Sequence, residues 1–111
     1  MIINQTQNII ISQQEKHYKS HFFQAIGLMF RPRQNLILEF PTERSISLHT
    51  FFVFYPIEVL ILDEHLTIVE IKPYFKPWRM WTAGQKGKYV IELAQDHPDI
   101  SRIGDRIKIT P

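Results

Sequence analysis

The sequence predicts a compact, mainly β domain: an antiparallel sandwich or small barrel-like, jelly-roll-like fold with one N-terminal helix, on the border of the α+β class. Apolar residues alternate with a period of two from Leu36 onward, and prolines separate the alternating runs. No β-α-β alternation, the mark of a doubly wound parallel sheet, is present. The 111 residues are expected to form one domain, 1–111, because two cores would each be too small to be stable.

The helix is predicted to begin near Gln13 and to end at Gly27. Ser12 and Glu15 have the three-residue spacing of a capping box, in which each side chain satisfies a free amide of the first turn. An apolar stripe at four-residue spacing follows, made of Tyr18, Phe22 and Ile26. Gly27 suits the left-handed residue that commonly ends a helix.

Six or seven short strands are predicted after the helix. The runs with strand patterns are 36–40, 46–50, 59–62, 66–71, 88–93 and 106–109. Asp63, Glu64 and His65 form a polar break short enough for a hairpin, and Gly104-Asp105 predicts a turn before the last strand. The alternation in 36–40 and 46–50 predicts a sheet with one buried face. The stretch 48–63 is predicted to hold the central pair of strands, with Pro56 at the break between them.

Composition limits the classes of function. Without cysteine the chain has no disulfide, no thiolate metal site and no cysteine nucleophile. The longest nearly apolar run, 51–62, contains Pro56 and Glu58 and is too short to span a bilayer, and the N-terminus lacks the features of a signal peptide. We therefore expect a soluble, cytoplasmic protein with no membrane partner. A net charge of +2 is weak evidence for nucleic-acid binding, so a nucleic-acid partner is not expected.

The first candidate for chemistry is His49 with Glu58 or Asp63. A carboxylate beside a histidine on a neighbouring strand would raise the pKa of the imidazole and fix its tautomer, as acid–base catalysis requires. The alternative is structural: Asp63 is a turn residue, Glu58 pairs with a surface lysine, and His49 lies on the exposed side of its strand. No nucleophile with its base accompanies the three residues, so no catalytic residue is assigned.

Metal and cofactor sites are not predicted. His17 and His21 would share a helix face, but the H-E-x-x-H arrangement of zinc proteases is absent, and surface histidines explain the pair. The chain also lacks a G-x-S-x-G elbow, a Walker loop and a G-x-G-x-x-G loop.

The second candidate is the basic aromatic segment, residues 72–88, which begins K-P-Y-F-K-P-W-R-M-W. It holds five basic residues and no acidic one. Flat rings between cations can stack on ligands while lysine or arginine holds a phosphate or carboxylate. The alternative is that its rings fold over the open end of the sheet and close the core. A third candidate is the corner at Gly27-Leu28-Met29-Phe30-Arg31, where Arg31 could bind an anion; a helix stop with apolar plugs is the alternative.

Six short motifs follow one another along the chain: G-L-M-F-R at 27–31, H-T at 49–50, P-I-E at 56–58, K-P-W at 76–78, E-L at 92–93 and G-D at 104–105. In this order they resemble the DUF192 family of uncharacterised proteins. Glu58 stands where the family usually has Asp, and E-L-A-Q-D replaces E-L-P-A-G. Over 27–109 the resemblance implies a compact, mainly β domain of unestablished activity, with no catalytic residue to carry over. It also implies that the corner at 27–31 and the segments 49–58 and 76–78 converge.

The leading hypothesis is a non-enzymatic binding domain for a small polar or anionic ligand or a short peptide. The residues expected to line its cleft are Arg31, His49, Glu58, Lys76, Trp78 and Arg79. One alternative is a hydrolase-like acid–base enzyme that uses His49. Another is an interaction or nucleic-acid-binding module that uses the basic aromatic segment. A homodimer, joined through a strand edge or the aromatic residues, is left open.

Overall fold

The computed structural model describes residues 1–19, 33–94 and 100–111, and these residues form ten strands. The strands are β1 (Ile2–Asn4), β2 (Ile9–Ser12), β3 (Glu15–Tyr18), β4 (Asn35–Arg44), β5 (Ser47–His49), β6 (Ile57–Leu62), β7 (Ile68–Phe75), β8 (Met80–Thr82), β9 (Gly87–Leu93) and β10 (Ile107–Ile109).

The described strands make three sheets. The largest has five strands in the order β3-β4-β9-β6-β7, the second has three in the order β10-β1-β2, and the third is the ribbon β5-β8. β3 and β4 are parallel, and every other pair among the described strands is antiparallel. The radius of gyration, 12.6 Å, is that of a compact domain of this length.

The five-stranded sheet is buried on both faces. One face packs with Ile2 of β1 and Ile107 of β10, so the three-stranded sheet covers it. The other face packs with Val53 and Tyr55, and with Trp81 of the ribbon. Sheets covered on both sides have continuous apolar strands, and all six residues of β6 are buried.

The predicted helix is wrong where the structure describes it, because residues 15–18 form β3. β3 runs parallel to β4, with Glu15 opposite Asn35. The side chains that suggested a capping box are engaged elsewhere: Ser12 Oγ donates to the carbonyl of Gln14, and Glu15 Oε2 accepts from the amine of Met1. Sheet pairing here overrides the local helix signal. The predicted continuation through Phe22 and Ile26 to Gly27 lies outside the described residues.

The prediction of a compact, mainly β fold is confirmed, and the barrel prediction is not. Among the described strands, β3 pairs only with β4 and β7 only with β6, so the sheets are not closed into a barrel. The parallel β3-β4 pair also departs from the expected all-antiparallel order. No helix in the described parts of the chain is long and apolar enough to cross a bilayer.

Only the second half of the stretch 48–63 lies in the sheet position that the sequence predicts for it. β6 lies inside the five-stranded sheet, but β5 belongs to the separate ribbon with β8. The expectation of one buried face is also wrong, because Leu36, Ile37 and Leu38 are all buried in succession. The hairpin at 63–67 and the turn at Gly104 are present as predicted, the latter with a φ of 97° that favours glycine.

Candidate functional site

Thr50 joins the end of β5 to the connection between β7 and β8. Its side chain is fully buried, and its Oγ1 donates to the carbonyl of Lys76 (2.6 Å) and accepts from the amide of Arg79 (2.9 Å). Its backbone amide donates to the carbonyl of Arg79 (2.9 Å), and its carbonyl accepts from the amide of Trp78 (3.0 Å). One buried residue therefore holds the turn 76–79 by both main chain and side chain.

We expect Thr50→Val to destabilise the protein by about 1–3 kcal/mol, because valine keeps the shape but leaves two polar backbone groups of the turn without their hydroxyl partner. Urea denaturation measures the change, and Thr50→Ser, which keeps the hydroxyl, is the matched control. A loss in the serine variant with none in the valine variant would show that the methyl group, and not the hydrogen bonds, stabilises the turn.

Three aromatic residues around this turn have left-handed backbone conformations. The φ angles are 62° at Phe52, 54° at Tyr74 and 60° at Trp78. Bulky side chains rarely adopt this region, and such strain persists only where surrounding contacts impose it. The hydrogen bonds of Thr50 supply such contacts at Trp78. Concentrated strain of this kind is typical of sites that must present side chains in a set direction.

The strained backbone presents an aromatic cluster made of Phe51, Phe52, Phe54 and Trp78, of which Phe51 is half-buried and the other three are exposed. The ring centroids of Phe52 and Trp78 are 4.8 Å apart in an edge-to-face arrangement, and Phe54 lies 6.3 Å from Trp78. Phe54 is 67% exposed and Trp78 46% exposed. Large apolar side chains grouped on a surface mark binding sites more often than scattered ones do.

A cleft of about 240 Å³ is lined by residues that flank Trp78 in the chain. Its lining residues, which we call the basic cleft, are Lys72, Tyr74, Phe75, Lys76, Arg79 and Met80. Three of the six are cations and none is an acid. Lys72, Lys76 and Arg79 form no ion pair with any residue in the described ranges. The cleft is therefore a concentration of positive charge without internal neutralisation.

The structure groups four of the six candidate residues predicted from sequence. Lys76 and Arg79 line the basic cleft, Trp78 is in the aromatic cluster, and His49 stacks on Phe51 with ring centroids 5.1 Å apart. Glu58 is not part of this group, because it is buried in β6. Arg31 lies outside the described residues, as does the whole corner at 27–31.

The acid–base hypothesis requires a contact that the described residues do not provide. His49 is exposed, and its Nδ1 accepts from the amide of Phe51; no carboxylate of the described chain bonds to it. Asp63 Oδ1 instead accepts from the amides of His65 and Thr67, so Asp63 stabilises the hairpin turn. Nor do three histidine, aspartate or glutamate side chains meet in metal-binding geometry anywhere in 1–19, 33–94 or 100–111.

Sequence reasoning missed a buried carboxyl group on β9. Glu92 lies opposite Leu36 of β4 and Val59 of β6 and is 7% exposed. Burial raises the pKa of Glu92 to about 7, because the apolar surroundings disfavour its charged form. Burial also raises the pKa of the Tyr55 phenol, and the negative charge of Glu92 adds to that effect. The sequence feature that could have indicated this buried carboxyl group is a single glutamate within the apolar run V-I-E-L.

The DUF192 family model, described as "Uncharacterized ACR", matches residues 5–109. A UPF0127 protein of Pyrococcus horikoshii is 32% identical over 113 aligned positions, which cover 97% of each chain. The chain belongs to the DUF192 family. The resemblance predicted from the six motifs is thus confirmed, and two of the motif segments of this DUF192 domain, H-T and K-P-W, meet at Thr50.

Two solved structures share the DUF192 fold seen here. A proposed transcription regulator from Sinorhizobium meliloti superposes with a TM-score of 0.82 at 17% identity, covering 96% of this chain and 88% of that one. A protein of unknown function from Novosphingobium aromaticivorans superposes with a TM-score of 0.75 at 15% identity, covering 86% and 74%. At these identities the likeness shows the fold alone.

Proposed function

We propose that this DUF192 domain is a non-enzymatic binding domain for a small ligand that joins an anionic group, phosphate or carboxylate, to a planar apolar group. The anion occupies the basic cleft. The observation that carries this proposal is the set of three cations, Lys72, Lys76 and Arg79, around one acid-free concavity.

The charge pattern favours an anion over a neutral ligand. Cations brought together without acids repel one another, and a bound anion relieves that repulsion while accepting charge-assisted hydrogen bonds. Arginine adds a planar fork that fits phosphate or carboxylate with two parallel bonds. A cleft of about 240 Å³ has room for such a group and for a planar group attached to it.

The apolar lining favours a planar group attached to the anion. Tyr74 is 53% exposed on the cleft wall, and Met80, 74% exposed, lies beside it. An exposed ring and a flexible thioether both pack well against flat groups. The aromatic cluster around Trp78 extends this surface beyond the turn.

The site is also preorganised. Thr50 fixes the carbonyl of Lys76 and both backbone polar groups of Arg79, so the turn that carries two of the cations is held before any ligand arrives. Holding a binding loop in advance lowers the entropy lost on binding.

Isothermal titration calorimetry with phenyl phosphate tests the proposal. We expect saturable binding that weakens as salt is added, and Lys76→Gln should weaken it about tenfold, which corresponds to about 1.4 kcal/mol. Lys108→Gln, which removes another exposed cation, on β10, is the matched control and should leave binding unchanged. Methyl phosphate should bind more weakly because it lacks the ring.

Three results would contradict the proposal. Phenyl phosphate could fail to bind, or the variants at Lys76 and Lys108 could bind it equally. A single-stranded oligonucleotide could bind much more tightly than phenyl phosphate. That result would indicate a nucleic-acid-binding surface, which is the alternative predicted for the basic aromatic segment.

A further inference from the structure

A second groove lies at the edge strand β3, and the residues that line it differ in charge from those of the basic cleft. It encloses about 550 Å³, a volume within the range of small-molecule sites. The lining consists of Met1, Gln13, Gln14, Glu15, Lys16, Arg33, Gln34, Asn35 and Pro111. Four of these residues have uncharged amide side chains, and Glu15 lies among them with the cations Lys16 and Arg33, so the groove carries both signs of charge and the basic cleft only one. A smaller cavity of about 370 Å³ continues from Glu15 past His17 to Ile109.

Two buried polar atoms in this lining have no hydrogen-bond partner among the described residues. They are Oε1 of Glu15, an acceptor, and Nε2 of Gln34, a donor. The Glu15 side chain is only 9% exposed, and its other oxygen is already bonded to the amine of Met1 at 2.8 Å. Buried polar atoms are rarely left unpaired, because each costs free energy on leaving water. A ligand that offers one donor and one acceptor would satisfy both.

β3, which contributes Glu15 and Lys16 to the groove, is the edge of the five-stranded sheet and pairs only with β4 among the described strands. Glu15 and His17 are two residues apart, so they share one face of β3, and both line the smaller cavity. Unpaired edge strands bind extended peptides through their backbone groups.

We propose that this groove binds a short extended peptide, whose backbone amide donates to Glu15 Oε1 and whose carbonyl accepts from Gln34 Nε2. A peptide bond carries one donor and one acceptor, which is the pair that the two atoms require. This site is separate from the anion site of the proposed function and does not depend on it.

Backbone amide chemical shifts of the ¹⁵N-labelled protein test the proposal, with N-acetyl-alanine N-methylamide and its trialanine homologue as probes. We expect saturable shifts at residues 13–17 and 33–35, with the longer peptide binding more tightly. Methyl O-acetyl-lactate, which keeps both carbonyls and replaces both N–H groups by oxygen, should bind at least about fivefold more weakly.

Gln34→Met keeps the length of the side chain and removes its amide, and we expect a similar loss of peptide affinity. Lys76→Gln should bind the peptides like the unmodified protein, which separates this site from the basic cleft. The proposal fails if no saturable shift occurs at these residues, if the diester binds as tightly as the diamide, or if a folded Gln34→Met variant binds unchanged. The diester comparison uses the unmodified protein and decides the question even if that variant does not fold.

Discussion

Glu92→Gln is expected to stabilise the protein by about 3 kcal/mol at a pH well above 7, and to change its stability little below about pH 4.5. The folded-state pKa of Glu92 is about 7, against an ordinary value of 4.5. Between pH 4.5 and about pH 7, Glu92 therefore keeps its proton in the folded state and loses it in the unfolded state. The free energy of unfolding falls as the pH rises through this window. Above the window the folded protein carries a buried charge, which glutamine removes.

Urea denaturation at several pH values measures this effect. The two proteins should have converging midpoints in acid and diverging midpoints from about pH 5 upward, with a plateau above about pH 7. Tyr55→Phe is the companion variant, because it removes the phenol whose pKa the charge of Glu92 raises and leaves that charge in place. A stability difference that is independent of pH would show that folding does not raise the pKa of Glu92.

Asp105→Ala is expected to destabilise the protein by about 3 kcal/mol at neutral pH, because it breaks a buried network that joins the two ends of the chain. Oδ2 of Asp105 accepts from Nδ2 of Asn4 (2.8 Å), Nε2 of Gln7 (2.7 Å) and the amide of Arg102 (3.0 Å). Asn4 is itself fully buried and donates also to Ser101. Removing the carboxylate leaves one of the two N–H bonds of the buried Asn4 amide without its acceptor.

The pH dependence of this loss has the opposite sign to that of Glu92. Hydrogen bonds, first that from Asn4, hold the pKa of Asp105 below its ordinary value of 3.8. Its contribution is therefore present above that value and is lost as the pH falls through the folded-state pKa. Thermal unfolding of Asp105→Ala and Gln7→Ala should show a large and a small loss at neutral pH, because Gln7→Ala removes one donor only. Equal losses of stability in the two variants would show that the Asp105 carboxylate matters no more to this network than the Gln7 side chain does.

Strands whose signals are local could be predicted from the sequence. β6, β7 and β9 follow from branched apolar runs, and the hairpin between β6 and β7 follows from Asp63, whose side chain bonds to amides of its own turn. β10 follows from the turn at Gly104. In each case the deciding contacts lie within a few residues.

Elements decided by distant partners could not be predicted. β1 depends on Ile2 pairing with Ile109 at the far end of the chain. The spacing of Ser12 and Glu15 that suggested the start of a helix instead leads into a strand, because residues 15–18 pair in parallel with residues 35–38 of β4. The burial of Glu92 follows only from a sheet covered on both faces, which alternation in single strands does not reveal.

The candidate site, too, could be predicted only in part, because some of its contacts join residues that are far apart in the sequence. Lys76, Trp78 and Arg79 are close in sequence, and their cation–ring pattern was visible. Lys72 and Tyr74 also line the cleft, and their two-residue spacing on β7 would have placed them on one face had that strand been predicted to continue past Pro73. The central position of Thr50 rests on hydrogen bonds to residues 26 and 29 positions away, and no pattern in the sequence indicates those contacts.

The most direct test of anion binding in the basic cleft is a titration of the ¹⁵N-labelled protein with inorganic phosphate, followed by backbone amide shifts. We expect saturable shifts at residues 74–80 and at Thr50, and their loss in a Lys72→Gln, Arg79→Gln double variant that keeps the fold. Saturable shifts that lie elsewhere, shifts that persist in the double variant, or no saturable shift at all would contradict an anion site in this cleft.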